Sequence, residues 1–380
     1  MVACVLALAV VTASWTVPAA SPSKLDNPLG RKFELAHIDV QLAVRHLQCV
    51  NLGLPFAQGA FGHVLDATIE GAEVKHCVAK RAAKGKADAE TYLASEAHLN
   101  EYFHKVAPGS RHLAPFLGVA NVGWTDHLIW ERCPGAQHSL DWYLELPERQ
   151  GHLARDLGVV ATPDVSVLTT RLQIVLGRKL LHEMLSALAL LHTHGVIHRD
   201  VKPENWLVDV RTQSLRLIDF GAAYAFRDGW TEHQVPGTEA YAPPEQTAEP
   251  TAPWSYDLYS TAMVWLRCCV SSYSSAAGFE ALRASLECQA DPGDWLAQRH
   301  VGPADTAGPE MWALIGRMLA RDPRKRATVC EHLGSFEDMN NAASAEPLAA
   351  ELATPNMANL ESCLADFSCP LVLEECSMPL

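Results

Sequence analysis

After Arg326 the 380-residue chain has no further lysine or arginine, while acidic residues continue to its end. Lys+Arg total 30 against 44 Asp+Glu, a formal net charge of −14. That balance argues against nucleic acid as a main partner, because phosphate backbones are held by basic surfaces. None of the 11 cysteines forms a C-x-x-C pair, and none clusters with histidine. A disulfide framework and a zinc site are both disfavoured, and the pattern suits buried or unpaired thiols in a reducing compartment. No apolar run reaches bilayer length. The one at the N-terminus, Val2 to Val11, is followed by small residues at Ala19-Ala20-Ser21. Roughly twenty apolar residues span a bilayer, so a segment of roughly a dozen is too short. Residues 1–21 therefore read as a signal-like or targeting segment without a basic start, with a membrane-associated end as the alternative.

What is present is chemistry at fixed spacing. His198-Arg199-Asp200-Val201-Lys202-Pro203-Glu204-Asn205 puts a carboxylate, a lysine and an amide at the offsets phosphoryl transfer from ATP needs. Downstream, the apolar run Leu215 to Ile218 predicts a short strand, and Asp219-Phe220-Gly221 follows it. Further on stands Gly237-Thr238-x-x-Tyr241-x-Pro243-Pro244-Glu245. Upstream, Ala57-Gln58-Gly59-Ala60-Phe61-Gly62-His63-Val64 is a glycine-containing stretch. Val78-Ala79-Lys80 comes after it, a strand ending in lysine. Glycines in such a hairpin let backbone N–H groups approach phosphate oxygens with no Cβ in the way.

Taken in order, these segments resemble the motifs of eukaryotic-type protein kinases. Lysine at position 202 is the serine/threonine-kinase form. The resemblance implies an α+β, two-lobed protein-kinase-like fold, with a small β-rich N-lobe and a larger, mainly helical C-lobe. It implies ATP and Mg2+ as cofactors and a protein substrate carrying serine or threonine. Asp200 would take or orient the proton of the attacking hydroxyl, and Lys202 would lie against the γ-phosphate. Lys80 would hold the α/β-phosphates and pair with a glutamate from the helix expected over Ala87 to Lys105. The candidates are Glu90, Glu96 and Glu101, and Glu96, sixteen residues after Lys80, is preferred. Asn205 and Asp219 would hold magnesium. Ala57, Gly59 and Gly62 would cover the phosphates. Val64, Val78 and Leu207 would sandwich adenine, and Glu131 and Cys133 would meet it at the hinge. Thr238 would bridge Asp200 and Lys202, Asp257 would anchor the catalytic loop, and Arg326 would pair with Glu245. His198 and Phe220 would form part of a spine linking the lobes. Trp130, just before the hinge, would close the back of the adenine site unless it points into the lobe core. Of the two hydroxyls between Asp219 and Gly237, Tyr224 and Thr231, Thr231 is the expected activation-loop switch, acting through Arg199, with a loop ordered without modification as the alternative.

The expected organisation is an N-terminal extension over 22–49 and a kinase domain over 50–335. The domain divides into N-lobe 50–130, hinge 131–135 and C-lobe 136–335, and an acidic, disordered tail follows over 336–380. Helical spacing of apolar residues predicts a helix from Phe33 to Cys49 packed on the small lobe. A helix is expected near Ser139 to Leu146, a polar insert around Glu148 to Asp164, and a long amphipathic helix from Leu172 to His194, stopped by Gly195.

A narrower resemblance is to the state-transition kinases of thylakoid membranes, which phosphorylate light-harvesting proteins. It rests on Asp219-Phe220-Gly221-Ala222-Ala223, on Tyr241-Ala242-Pro243-Pro244-Glu245-Gln246, on Trp130 and on Glu96-Ala97-His98-Leu99-Asn100-Glu101. It implies a plastid location, with a cytoplasmic or membrane-associated one as the alternative. Cys4 stands alone and the apolar run is short, so lumenal redox sensing does not follow from it. Two other functions compete. Small-molecule kinases of this fold generally lack both the Pro-Pro-Glu element and a lysine at position 202. A pseudokinase scaffold usually loses Lys80, Asp200 or Asp219, and all three are present; only Ala57 leans that way.

Overall fold

The computed structural model describes residues 44–336 apart from 60–61, 72, 87, 133–137, 147–148, 161–169, 226–237, 247, 249–251, 290 and 300–308. The expectations for the first 43 residues, for Cys133, for Thr231 and for the tail beyond residue 336 lie outside the described residues. Five strands, Val50–Gln58 (β1), Gly62–Ile69 (β2), Lys75–Ala82 (β3), Phe116–Val122 (β4) and Thr125–Glu131 (β5), pair in the order β1-β2-β3-β5-β4. All the pairings are antiparallel. Side chains alternate across such a sheet. Leu65, Ala67, Cys77, Ala79, Ala120 and Ile129 cluster on one face. Directly opposed pairs share a face, so Val64, Val78, Lys80, Leu128 and Trp130 point to the other.

A single long helix, Ala89–Val106 (α1), covers that second face. Leu93, Glu96, Ala97 and Asn100 recur at i, i+3, i+4 and i+7 and are all buried, the stripe of a helix lying on a sheet. Glu90 in the first turn and His104 and Lys105 in the last suit the helix dipole.

The segment before β1 is not helical where it is described. The Leu47 N–H donates to the Val119 carbonyl at 2.8 Å, and the Val119 N–H donates to the Arg45 carbonyl at 2.8 Å. His46 thereby bridges Val119 in parallel at the β4 edge. The helix expected there failed for a geometric reason. Val44 packs with the α1-side cluster and Leu47 with the outer one. An odd spacing puts two residues on opposite faces of an extended chain, so apolar residues three apart also suit an extended segment that packs one side chain to each side.

The larger unit is mainly helical: Leu140–Leu144 (α2), Arg149–Asp156 (α3), Thr170–Thr193 (α4), Ser255–Cys269 (α5), Ala276–Glu287 (α6), Pro292–Arg299 (α7) and Pro309–Met318 (α8). Short strands join it: His138–Ser139 (β6), Val196–Ile197 (β7), Trp206–Asp209 (β8), Ser214–Leu217 (β9) and Tyr224–Ala225 (β10). β6-β8-β9 form one small sheet and β10-β7 another. α4 runs through the core, with every residue from Leu180 to Leu191 buried, and Gly195 at φ 75° turns the chain out of it. The polar insert expected from residue 148 is in part the helix α3. It buries Leu153 and Ala154, and its Asp156 accepts the Tyr143 hydroxyl at 2.7 Å. Among the described residues no helix is long and apolar enough to cross a membrane. Cys268 and Cys269 sit side by side on α5, where burial pushes both thiols up, Cys268 to about 12. Such thiols stay protonated and unreactive.

Candidate active site

The loop after β7 is held by a buried carboxylate. Asp257 of α5 accepts the backbone N–H of His198 at 2.7 Å and of Arg199 at 2.8 Å, and it meets His192 Nε2 at 2.8 Å. Arg199 takes φ 63°, a left-handed turn that a non-glycine residue adopts at a cost, and these two bonds hold it there. Burial works against the charge on Asp257, yet the His192 contact keeps its carboxyl below the ordinary range. The buttressed loop presents Asp200, which accepts three bonds from Thr238 and Lys202. Thr238 donates its N–H at 3.0 Å and its hydroxyl at 2.8 Å to Asp200 Oδ1, and Lys202 Nζ donates to Oδ2 at 2.6 Å. Lys202 also reaches the Thr238 hydroxyl at 3.0 Å, so the expected bridge is present.

The second centre is Lys80. Its ammonium lies 2.7 Å from Glu96 Oε2 and 2.7 Å from Asp219 Oδ1. Glu96 is therefore the partner on α1; Glu90 takes no part in this contact, and Glu101 is paired elsewhere. Burial pushes the Glu96 carboxyl up to about 7, against the pull of Lys80. Burial also opposes the Lys80 charge, but the two carboxylates beside it hold the ammonium above its usual range. Asp219 is brought down to about 2, Lys80 outweighing the cost of burial. Asp219 stands at φ 66° and caps the following turn through the Gly221 N–H at 3.2 Å.

Between the two centres lies a donor set suited to a hard cation. Asn205 Nδ2 donates to the Asp200 carbonyl at 2.8 Å and to Oδ2 of Asp200 at 3.2 Å, which commits the nitrogen and leaves Oδ1 as the oxygen a metal would use. The Ile218 N–H donates to the Asn205 carbonyl at 3.0 Å, so the backbone sets Asn205 beside Asp219. Two protein oxygens are few for calcium. They suit magnesium, which keeps waters and takes phosphate oxygens for the rest of its shell. Among the described residues no cluster of three or more His, Cys, Asp or Glu forms an all-protein metal cage.

The walls of the cleft follow from the strand register. Ala57 pairs with Val64 and Gln58 with His63, so β1 and β2 form a hairpin whose tip, 60–61, lies outside the described residues. The Gly59 N–H donates to the Gly62 carbonyl at 2.8 Å and closes it. At Gly62 a Cβ would sit 2.8 Å from the Arg81 carbonyl, whereas at Gly59 it would meet nothing nearer than 3.9 Å. Gly62 is thus demanded by the protein's own packing, and Gly59 has room left over it. Val64, Val78 and Leu207 are half-buried, and the first two share the cleft face. Glu131 closes β5 and pairs with Lys75 at 2.9 Å.

The outer supports are also present. Phe220 stacks on Phe103 of α1 at 5.8 Å and meets His198 at 5.5 Å, tying α1 to the catalytic loop through apolar contact. Arg326 pairs with Glu245 through both nitrogens. Trp130 lies on the cleft face between Val78 and α1. Its indole packs on Phe116 at 5.5 Å and donates to Asn100 Oδ1 at 3.1 Å. Among the contacts not read from sequence are Trp130 with Asn100 and Arg45 with Glu101. Polar residues on a helix give no hint of partners 30 or 56 positions away.

A family model described as protein kinase domain matches residues 55–335. The serine/threonine-protein kinase pim-2 of Danio rerio is 41% identical over 71 residues, which are 18% of this chain and 22% of that protein. The calcium/calmodulin-dependent protein kinase type II of Caenorhabditis briggsae is 30% identical over 161 residues, 40% of this chain and 28% of that one. The chain spans under a third of the length of these relatives. Among solved structures, that of a Stt7 homolog from Micromonas algae soaked with ATP superposes with a TM-score of 0.63 at 22% identity. The match covers 76% of this chain and 94% of that one, a likeness of fold.

Proposed function

The chain belongs to the protein kinase family, and from that premise we propose that it transfers the γ-phosphate of Mg-ATP to a serine or threonine hydroxyl of a protein. The observation that carries this reading is the pair of preassembled centres. Lys80 joins Glu96 to Asp219, and Asp200 is held by Thr238 and Lys202, with Asn205 between the two groups. Bound Mg-ATP supplies the phosphoryl group and the metal charge that screens it. Val64, Val78 and Leu207 would enclose the adenine, with Glu131 along its hinge edge, and the hairpin from Ala57 through Gly59 to Gly62 would cover the phosphates. Lys80, oriented by Glu96, holds the α/β-phosphates. Asn205 and Asp219 supply the metal ligands. Asp200 takes or orients the proton of the substrate hydroxyl, and Lys202 stabilises charge on the transferring group.

Lys202 and its bond to Thr238 support the serine/threonine reading. A scaffold without turnover would not need Lys80, Asp200, Asn205 and Asp219 together. The short motifs shared with thylakoid state-transition kinases support a plastid protein as substrate. The test is full-length chain with Mg2+ and γ-labelled ATP, offered a thylakoid extract or casein, followed by phosphoamino-acid analysis. Label on serine or threonine, absent with Asp200→Asn, is expected. Label no higher than in the Asp200→Asn control would overturn the reading, and label on tyrosine would overturn its serine/threonine part.

A further inference from the structure

The segment just before β1 does more than cover an edge. Arg45 Nε lies 3.1 and 3.0 Å from the two carboxylate oxygens of Glu101, and its Nη2 donates to the Phe116 carbonyl at 3.0 Å. Glu101 is on α1 and fully buried, whereas 39% of the Arg45 side chain is exposed. A buried carboxylate is tolerated only with such a partner. The strand beneath is shaped to receive the segment. Gly118 takes φ 140°, and a Cβ there would meet the Arg45 carbonyl at 2.4 Å. Any side chain at 118 would therefore force the segment off β4.

Glu101 follows Glu96 by five residues on one rigid helix, a rise of about 7.5 Å. Its neighbour Asn100 receives the Trp130 indole and donates to the Glu96 carbonyl at 2.8 Å. The height and rotation of α1 over the sheet are thus set from two directions on consecutive residues. One is the cleft wall and the other is the segment ahead of β1. On this geometry we propose that Arg45 is a positioning residue of the phosphoryl-transfer reaction. Residues 44–47, docked on β4, clamp α1 through Glu101 and so keep Glu96 on Lys80. The effect on turnover rests on the kinase reading; the clamp itself does not.

The test uses the full chain as wild type, as Arg45→Ala, as Arg45→Lys and as the double variant Arg45→Ala/Glu101→Gln. Hydrogen exchange over 89–106 is compared with that over 255–269, alongside melting temperature and kcat and KM for ATP. Arg45→Ala is expected to speed exchange in α1 by about tenfold or more with α5 unchanged. It should also lower kcat by about tenfold while KM for ATP moves by less than about threefold. Arg45→Lys should recover part of both. The double variant removes the unpaired buried charge, so it should recover the melting temperature without recovering slow α1 exchange or kcat. If the double variant regains wild-type kcat and exchange, Arg45 only neutralises Glu101 and the proposal falls. Wild-type exchange and kcat in Arg45→Ala would overturn it as well. A wild type that transfers no phosphate, with α1 exchange still answering to Arg45→Ala, would sink the kinase reading and leave the clamp standing.

Discussion

Arg326 holds Glu245 with both arms of its guanidinium, Nη1 to Oε1 at 2.5 Å and Nη2 to Oε2 at 2.9 Å. The same side chain donates to the carbonyls of Ala320 and Ser255, so one buried arginine joins three stretches of chain. Its removal takes the forked partner from a carboxylate that is only 19% exposed. Arg326→Ala should cost about 3–5 kcal/mol, the usual penalty for breaking a buried pair from one side. Arg326→Lys should recover little, since an ammonium cannot make the forked contact. Urea denaturation of the two variants measures both losses.

Asp200→Asn isolates the chemical step. The aspartate's partners are Lys202, Asn205 and Thr238, and none belongs to the adenine walls. Phosphoryl transfer should fall by about 10²–10⁴, while the dissociation constant for Mg-ATP changes by less than about twofold. Asp219→Asn should weaken Mg-dependent binding as well. Calorimetric titration beside the rate assay separates the two, and a tenth of the wild-type rate surviving in Asp200→Asn would refute its assignment.

Trp130 should control what fits behind adenine. Its indole is fixed on one side by Phe116 and on the other by Asn100. Trp130→Ala opens that space and should admit adenine analogues carrying a rear aromatic group, lowering their inhibition constant by about tenfold or more at a stability cost of about 3–5 kcal/mol. Equal inhibition of both proteins would show that the indole does not face the ligand.

The stability of the chain should depend on pH through three buried histidines. Burial holds His112 down to about 3, His182 to about 4 and His332 to about 3. Each folded value lies below the ordinary one of about 6.5, so in mild acid the unfolded chain takes up protons that the folded chain refuses. Their contribution is complete above pH 6.5 and is lost as pH falls towards 4 for His182 and towards 3 for His112 and His332, at about 1.4 kcal/mol per pH unit for each. Neither ring nitrogen of His332 has a partner among the described residues. His332→Leu should therefore flatten the fall in melting temperature between pH 7 and 5 without lowering it at pH 8. An unchanged slope would mean that His332 does not titrate on unfolding.

What the sequence made legible was whatever depends on short spacing. Asp200, Lys202 and Asn205 lie within six residues, and their contacts follow from one turn of loop. Lys80 and Glu96 are farther apart, but a strand and a helix in succession leave few ways to bring them together. Asp257 and Arg326 were readable only because their neighbours resemble motifs. The segment at 44–49 was misread because apolar residues three apart suit a helix and, equally, an extended segment that packs one partly buried residue to each side. At 149–156 polar residues hid a helix whose buried face is little more than Leu153 and Ala154. The Asn100–Trp130 bond had no sequence signal, being a polar contact between elements whose relative height only packing decides.

Lys80 also fixes what an arriving nucleotide meets. With Glu96 on one side and Asp219 on the other, the ammonium is a resident counter-ion for the two carboxylates of the cleft. One ammonium against two carboxylates leaves the trio short of positive charge, a shortfall that the raised Glu96 carboxyl, at about 7, only partly relieves near neutral pH. On the kinase reading, the ammonium is already shared when a nucleotide arrives, so the added negative charge calls for a metal cation to come with it.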